Sequence, residues 1–343
     1  MAIVADDLTG ALDTATPFAL RGLRVAAAVR PEALAQAVAS GCEVVVVSTA
    51  SRAVPALEAA RRVASVGAML AAARPEVVFK KIDSRLKGNV GAETSALAGS
   101  MGFAHAVAAP AIPDQQRPTI GGAVTGRGVD APIAIAPVFD GMPIAVADAA
   151  ADGDLDRIVA SRDWASTLAV GARGLGAAFA RTMGEAAAVP FAPDARTLFA
   201  IGSRDPITER QIDHLREANP NLAVLDAPYG ELAAAAPALP AVLCSTGEFR
   251  GPDEAISSRF AAGVARHVDR LRPHTLVMGG GDTALAILER LGASLVFPQG
   301  EAAPGLPWFL LELANGHSMR CVVKSGGFGD AQVLSGLLPD RLN

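Results

Sequence analysis

A chain of 343 residues with 30 Lys and Arg against 35 Asp and Glu carries a formal net charge of −5. Its pI near 5.6 argues against a nucleic-acid partner, which would favour a basic face. Hydrophobic residues make up 51% and aromatic residues only 4%, so the core is large and built mainly from small aliphatic side chains. The length is comfortable for two domains.

The predicted elements alternate from the start. Ala2–Ala5 reads as a strand and Thr9–Leu20 as a helix. Val25–Val29 is a strand, and Pro31–Ser40 is a helix with Pro in its first turn. The β-branched run Val44–Ser48 is a strand and Val54–Ala73 a long helix. Val77–Lys80 is a strand, a helix begins at Asn89, and Ala104–Ala109 is a strand. Residues 110–145 are rich in Gly and Pro and read as loops with short β-ribbons. Asp154–Ser161 and Ala165–Met183 look helical around a strand at Thr167–Gly171. Pro190–Asp194 is the linker candidate, dividing residues 1–192 from 193–343.

Beyond the linker, strands are expected at Thr197–Ile201, Leu222–Asp226, Val242–Ser245, Thr275–Met278 and Cys321–Lys324. Helices are expected at Thr208–Asn219, Pro252–Leu271 and Thr283–Leu291. Strand–helix alternation implies parallel crossovers and an α/β fold of two domains with largely parallel sheets. Ligands of such sheets bind beyond the carboxyl ends of the strands.

The polar motifs fall at those ends. Asp6 and Asp7 follow the first strand and precede Thr9-Gly10. Two adjacent carboxylates are costly unless paired, metal-bound or facing a ligand. One would accept a proton from an attacking hydroxyl while the other orients substrate. The plainer alternative is that Asp7 caps a helix and Asp6 is solvated. Arg52, after the third strand, has the planar fork that grips a carboxylate, or is a surface Arg at a helix start. The stretch Lys80-Lys81-Ile82-Asp83-Ser84-Arg85-Leu86-Lys87-Gly88-Asn89 suits a small polyhydroxy acid. There Lys81 or Lys87 would take the carboxylate, and Asp83 and Asn89 the hydroxyls; the plainer alternative is a solvated charge run.

Two glycine loops follow apolar strands downstream. Gly279-Gly280-Gly281-Asp282-Thr283 opens a helix, and Ser325-Gly326-Gly327-Phe328-Gly329 follows a β-branched run. Such loops bring backbone N–H groups close to phosphate. Neither GxxxxGK[ST] nor GxGxxG is present. An ordinary tight turn with Asp282 capping the helix is the alternative, and Gly202-Ser203 is a weaker third loop. Carboxylates at one end and phosphate cradles at the other suggest phosphoryl transfer between two lobes.

The three cysteines, Cys42, Cys244 and Cys321, form no CxxC pair, and Cys42 and Cys321 read as buried reduced thiols. The five histidines show no HxH or HExxH spacing, which argues against a zinc site. No uncharged apolar stretch approaches the ~20 residues that span a bilayer. Asp6 and Asp7 interrupt the N-terminal apolar run where a leader would continue. The expectation is a cytoplasmic protein with no membrane or nucleic-acid partner and a possible homo-oligomeric state.

Taken in order, these motifs resemble the four-carbon acid-sugar kinase family. The matching segments are Ala5–Ala11, Ser51-Arg52, Lys80–Ser84 with Gly88-Asn89, Pro110-Ala111-Ile112-Pro113 with Arg117 and Thr119, Gly202-Ser203 with Thr208 and Gln211, Gly280–Ala284, and Lys324–Asp330. The resemblance implies an N-terminal acid-sugar domain and a C-terminal nucleotide domain. It implies ATP- and Mg²⁺-dependent phosphorylation of the terminal hydroxyl of threonate, erythronate or an oxo-tetronate. On that basis Asp7 or Asp6 is the base, and Arg52, Lys81, Asp83, Ser84, Lys87 and Asn89 bind the acid. Ser203, Gly280, Gly281, Asp282, Thr283, Gly326, Gly327, Phe328 and Gly329 bind the nucleotide. This chain departs from the family pattern at Arg85 and Lys87, has Asp282 where a glutamate is usual, and matches poorly over Gly121–Asp140 with a shortened middle. Those departures leave three alternatives open: a kinase for a different small hydroxy acid, a nucleotide-binding regulator, or a phosphatase or aldolase.

Overall fold

The structure, a computed structural model, describes residues 1–187, 189–247 and 253–339. The chain divides into two compact units, Met1–Ala188 and Val189–Asn343.

The first unit opens with β1 (Ala2–Ala5), α1 (Leu8–Ala19), β2 (Val25–Ala28), α2 (Leu34–Ala39), β3 (Val44–Ser48), α3 (Ala56–Ala73), β4 (Val78–Lys81), α4 (Val90–Met101) and β5 (His105–Ala109). The pairs β6 (Thr119–Ile120), β7 (Ala123–Val124) and β8 (Ile133–Ala134) make a small antiparallel ribbon. Then come β9 (Ala145–Val146), α5 (Asp152–Ala160), β10 (Thr167–Gly171) and α6 (Arg173–Met183). The unit's sheet runs β2-β3-β1-β4-β10-β5-β9, with every pair parallel.

Helix placement decides where this unit can bind. α1 packs on α6 and α6 on α5, while α3 packs on α4. The helix after β1 therefore belongs to one layer, and those after its neighbours β3 and β4 to the other. Crevices open on both sides of the carboxyl end of β1, the topological switch point of an open α/β sheet. The core beneath is closed by Phe79, Phe179 and Trp164 in edge-to-face contacts. Phe18 and Phe79 are fully buried, each contributing about 2–3 kcal/mol of transfer free energy.

Several boundaries differ from the sequence reading for local reasons. The predicted helix Pro31–Ser40 begins as a 3₁₀ turn over Pro31–Ala33 before α2. α3 starts at Ala56 because Pro55 is its extended cap residue. α6 starts only at Arg173, after the strand has ended at Gly171. α4 stops where Gly102 takes φ +77°, a left-handed C-cap that costs glycine nothing.

The second unit contains β11 (Thr197–Ile201), α7 (Pro206–Ala218), β12 (Ala223–Pro228), β13 (Ala241–Thr246), α8 (Asp253–Leu271), β14 (Thr275–Gly279), α9 (Gly281–Arg290), β15 (Leu295–Val296), β16 (Pro298–Ala303), β17 (Leu306–Glu312) and β18 (Ser318–Lys324). The expected first residue of α8, Pro252, lies outside the described residues. Its sheet runs β12-β13-β11-β14-β18-β17-β16. The first five strands are parallel, and β17 and β16 are antiparallel. The β16–β17 hairpin was not anticipated: Pro298, Gly300, Pro307 and two register shifts obscure its alternation. Its Trp308 and Leu306 join Phe199, Val242, Val277 and Val322 in the core.

The thiols follow the sequence reading in part. Cys244 and Cys321 are buried, and burial pushes the Cys244 thiol up to about 12. Cys42 is only half-buried, because it sits in the exposed turn between α2 and β3 rather than in the strand.

Candidate functional site

At the switch point of the first unit, Asp6 and Asp7 are held by one guanidinium. Arg52 Nε donates to Asp6 Oδ2 at 2.7 Å and Nη2 to Asp6 Oδ1 at 2.9 Å, while Nη1 donates to Asp7 Oδ2 at 2.6 Å. The backbone brings them together, since the N–H groups of Ser51 and Arg52 both donate to Asp6 O. Asp7 is also the N-cap of α1. Its Oδ1 accepts from Gly10 N at 2.7 Å and its Oδ2 from Thr9 Oγ1 at 2.8 Å. The capping alternative thus holds for Asp7. Asp6 is not solvated: its side chain is 4% exposed against 19% for Asp7.

The two carboxylates are therefore unequal. Burial alone would raise the Asp6 carboxyl, but the Lys80 ammonium, Arg52 and Lys81 outweigh it and hold it below the usual range. Both carboxylates have both oxygens bonded, so what separates them is access: Asp6 is buried in its two bonds to Arg52 and is a good anchor, whereas Asp7 is partly open. Asp7 is the accessible carboxylate at a helix N-terminus. Gly10 permits this approach, because a Cβ there would lie 2.6 Å from Asp7 Oδ1 and 3.0 Å from Lys81 Nζ.

A buried polar layer supports the fork. Lys80 Nζ pairs with Glu93 Oε2 at 2.8 Å, both side chains being 1% exposed. Glu93 Oε1 accepts from Ser51 Oγ at 2.6 Å, Ser51 Oγ and Thr49 Oγ1 are 2.6 Å apart, and Thr49 Oγ1 donates to Ala5 O. The ends of β1, β3, β4 and α4 are thus tied through one chain of hydrogen bonds. Sequence reasoning missed Glu93; its only signal was a single carboxylate in the first turn of an otherwise Ala-, Gly- and Ser-rich helix.

The acid-sugar residues proposed from sequence share this corner but not one role. Lys81 is buried and its Nζ donates to Ile82 O at 3.0 Å. Asn89 Nδ2 donates to Ser51 O and Val54 O, so its amide braces the Arg52 loop. Asp83 Oδ2 accepts from the N–H of Arg85 at 2.8 Å and closes its own turn. Ser84 Oγ accepts from Arg117 Nη1 at 2.7 Å, which joins the loop to the residues before the β6–β8 ribbon. Lys87 is exposed. Burial, then the neighbouring Arg85, press the Arg117 guanidinium down, with Asp83 opposing and Arg127 adding to the depression.

In the second unit three loops meet at the carboxyl ends of β11, β14 and β18. The N–H groups of Gly202 and Ser203 donate to Gly279 O, and that of Gly280 donates to Lys324 O. A Cβ on Gly326 would lie 2.6 Å from Ser203 Oγ. Asp205 caps α7 through Ile207 N at 2.9 Å. Gly280, at φ +105°, is the N-cap of α9. Helix α9 begins at Gly281, earlier than expected from sequence, so the exposed Asp282 stands in its first turn and is not the cap. Thr283 is buried against Gly202, and the Phe328 ring lies on Gly305. Two helix N-termini and glycine backbone facing one corner suit an anion. Thr208, Gln211 and Lys324 brace it from beneath.

Among the described residues no three His, Cys, Asp or Glu side chains converge to hold a metal ion, and no helix is long and apolar enough to cross a membrane.

Comparison with known proteins fits this division. Residues 1–140 match the sugar-binding N-terminal domain family and residues 241–334 the nucleotide-binding C-terminal domain family. A D-threonate kinase of Bordetella bronchiseptica is 30% identical over 97% of this chain and 95% of its own. A D-threonate kinase of Salmonella typhimurium is 26% identical over 97% and 96%. The Bordetella alignment runs over 400 positions, more than the 343 residues here, so that relative carries segments this chain lacks. Haemophilus influenzae protein HI1011 shares the fold, with a TM-score of 0.69 at 20% identity over 98% of this chain and 99% of its own. Full-length similarity at this level, with both domains in order, shows that the chain belongs to the four-carbon acid-sugar kinase family.

Proposed function

We propose that this protein transfers the γ-phosphoryl group of ATP to the terminal hydroxyl of a four-carbon acid sugar of the threonate, erythronate or oxo-tetronate type. The observation that carries this reading is the Asp6–Arg52–Asp7 arrangement at the switch point of a sugar-binding domain. It pairs an anchored guanidinium with an accessible carboxylate. Arg52 spends three N–H groups on the two aspartates and has two more for a substrate carboxylate. The exposed Lys87 supplements it. Asp7 takes the proton from the attacking hydroxyl, and Asp6 fixes Arg52.

The nucleotide phosphates lie on the loops of Ser203, Gly280 and Gly326 in the second unit, against the N-termini of α7 and α9. Phosphoryl transfer of this kind is mainly positioning and electrostatic stabilisation. Mg²⁺ keeps waters and phosphate oxygens and needs only one or two protein carboxylates; Asp282 beside the Gly280 loop is one of that type. When bound, the ion would neutralise charge on the phosphates. An ATP-dependent reaction on small soluble acids fits the cytoplasm.

The test is ADP release from ATP and Mg²⁺ against a panel of four-carbon and related acids, with phosphate position read by phosphorus NMR. Acid-dependent release with phosphate on the terminal oxygen is expected. Nucleotide binding without acid-dependent release would turn the reading to a regulator. Turnover without ATP would turn it to a phosphatase or aldolase.

A further inference from the structure

Lys324 ends β18 with a fully buried side chain, and nothing in the proposed chemistry uses it directly. A buried ammonium is expensive unless every donor is used. Here all three are: Nζ donates to Thr208 Oγ1 at 3.0 Å, Ser325 O at 3.1 Å and Gly326 O at 2.9 Å. Thr208 Oγ1 also donates to Gly326 O at 2.8 Å. Farther along the loop, the Gln211 amide gives its two N–H groups to Phe328 O at 3.0 Å and Asp330 O at 2.8 Å. Thr208 and Gln211 are themselves fully buried.

Four carbonyls of one glycine loop are thus drawn inward by three buried side chains. In a planar trans peptide the C=O and N–H point in opposite directions. Pinning the carbonyls of Ser325, Gly326, Phe328 and Asp330 therefore turns the N–H groups of Gly326, Gly327, Gly329 and Ala331 away from the core. Among the described residues none of these four donates to another backbone or side-chain acceptor. A cation at the carbonyl end of a peptide unit also polarises its N–H, since bonds in such a chain strengthen one another. The Lys324 charge reaches the phosphate-facing surface through the Ser325–Gly326 and Gly326–Gly327 peptides, without contact.

We propose that Lys324, with Thr208 and Gln211, is a positioning device that sets the 325–330 loop as an anion-binding nest and makes its N–H groups stronger donors for the nucleotide phosphates. The proposal rests on the reading of the second unit as the nucleotide site. Lys324 acts through the loop, so its loss weakens nucleotide binding and leaves the acid's apparent affinity alone.

The experiment is calorimetric titration of the full chain with ATP and Mg²⁺, accompanied by KM values for ATP and for the best acid. Lys324→Met keeps an unbranched side chain one atom shorter and removes the charge; the expected result is a rise of about tenfold or more in Kd and KM for ATP, with KM for the acid unchanged. Thr208→Val and Thr208→Ser separate positioning from general damage. The valine should weaken ATP binding, and the serine, which keeps the hydroxyl, should restore most of it. They serve also if Lys324→Met does not fold. Wild-type binding of ATP that neither Lys324→Met nor Thr208→Val alters would overturn this inference alone. A rise in both KM values together, with serine no better than valine, would reduce these residues to structural support and equally overturn it. Wild type that binds no nucleotide would overturn the reading of the second unit itself.

Discussion

Arg52 and Asp6 form a two-bond fork, Nε to Oδ2 at 2.7 Å and Nη2 to Oδ1 at 2.9 Å, and the same guanidinium reaches Asp7 through Nη1. The fork assigns different tasks to adjacent carboxylates. Asp7→Asn keeps the cap on Gly10 N and removes the proposed proton acceptor, so kcat should fall by a factor of about 10²–10⁴ with Kd for ATP unchanged. Full turnover in Asp7→Asn would reject Asp7 as the base.

Asp6→Asn should act on stability first. It breaks the bidentate pair and leaves Arg52 facing a neutral amide. Because Arg52 is about one-third exposed, the cost should be about 2–3 kcal/mol, below that of a fully buried pair. The acid limb of stability supplies a second readout. The folded-state Asp6 carboxyl is held below its ordinary value, so its contribution is complete above the unfolded pKa and is lost as pH falls through the folded one. Urea titrations from pH 6 downward should show wild type losing stability more steeply than Asp6→Asn. Parallel curves would contradict the ionised, paired Asp6.

Lys80 and Glu93 make the deepest ion pair described, at 2.8 Å with both side chains 1% exposed. Glu93→Gln takes from the Lys80 ammonium the anion it contacts, leaving Asp6 as its neighbouring carboxylate, and removes the anion that Ser51 Oγ bonds. The expected loss is about 3–5 kcal/mol. Replacing both partners, Lys80→Met with Glu93→Leu, should cost much less than the sum of the single changes. Denaturant unfolding of the four proteins in the cycle measures the coupling, and additive losses would show that the pair is not the unit that matters.

What was legible in the sequence depended on how local the cause was. The β-branched run Val44–Val47 and the strand-to-Asp6 transition announce themselves over a few residues, so the parallel core and the polar corner at its strand ends could be placed. The roles of single side chains could not. Asn89 and Lys81 stand in the polar loop where the sequence puts them, but spacing does not show that Asn89 Nδ2 braces the 51–54 loop or that Lys81 Nζ bonds Ile82 O. Glu93 is far from its partner Ser51 in sequence, and a long-range buried pair leaves no pattern. The β16–β17 hairpin was hidden by its prolines, glycine and register shifts.

Gly10 makes a steric prediction. A methyl group there would stand 2.6 Å from Asp7 Oδ1 and 3.0 Å from Lys81 Nζ, and neither neighbour is the loose end of an exposed chain. Gly10→Ala should push Asp7 off its cap and away from Arg52 Nη1. Loss of a cap costs about 1 kcal/mol, so the fold should survive while kcat falls at least tenfold. Kd for ATP, which depends on the second unit, should stay at its wild-type value. A Gly10→Ala protein with normal kcat would mean that the position of Asp7 is not critical to turnover.

Lys324 predicts opposite pH trends for stability and for nucleotide binding. Burial pushes its ammonium down to about 8 from an ordinary 10.5, with the Asp205 carboxylate at the start of α7 opposing. The folded protein releases this proton first, so between about pH 8 and pH 10.5 the unfolded chain binds more protons. By linkage, the Lys324 contribution to stability rises with pH across that window. The gain is up to about 3 kcal/mol, because the cost of a buried charge is relieved. ATP affinity should fall over the same rise, as the loop loses the cation behind its carbonyls. Lys324→Met should remove both slopes, leaving denaturant midpoints flatter in alkali and Kd for ATP weak but nearly constant from pH 7 to 9.5. If wild type and Lys324→Met share the same pH profile for ATP binding, the charge of Lys324 has no part in holding the nucleotide.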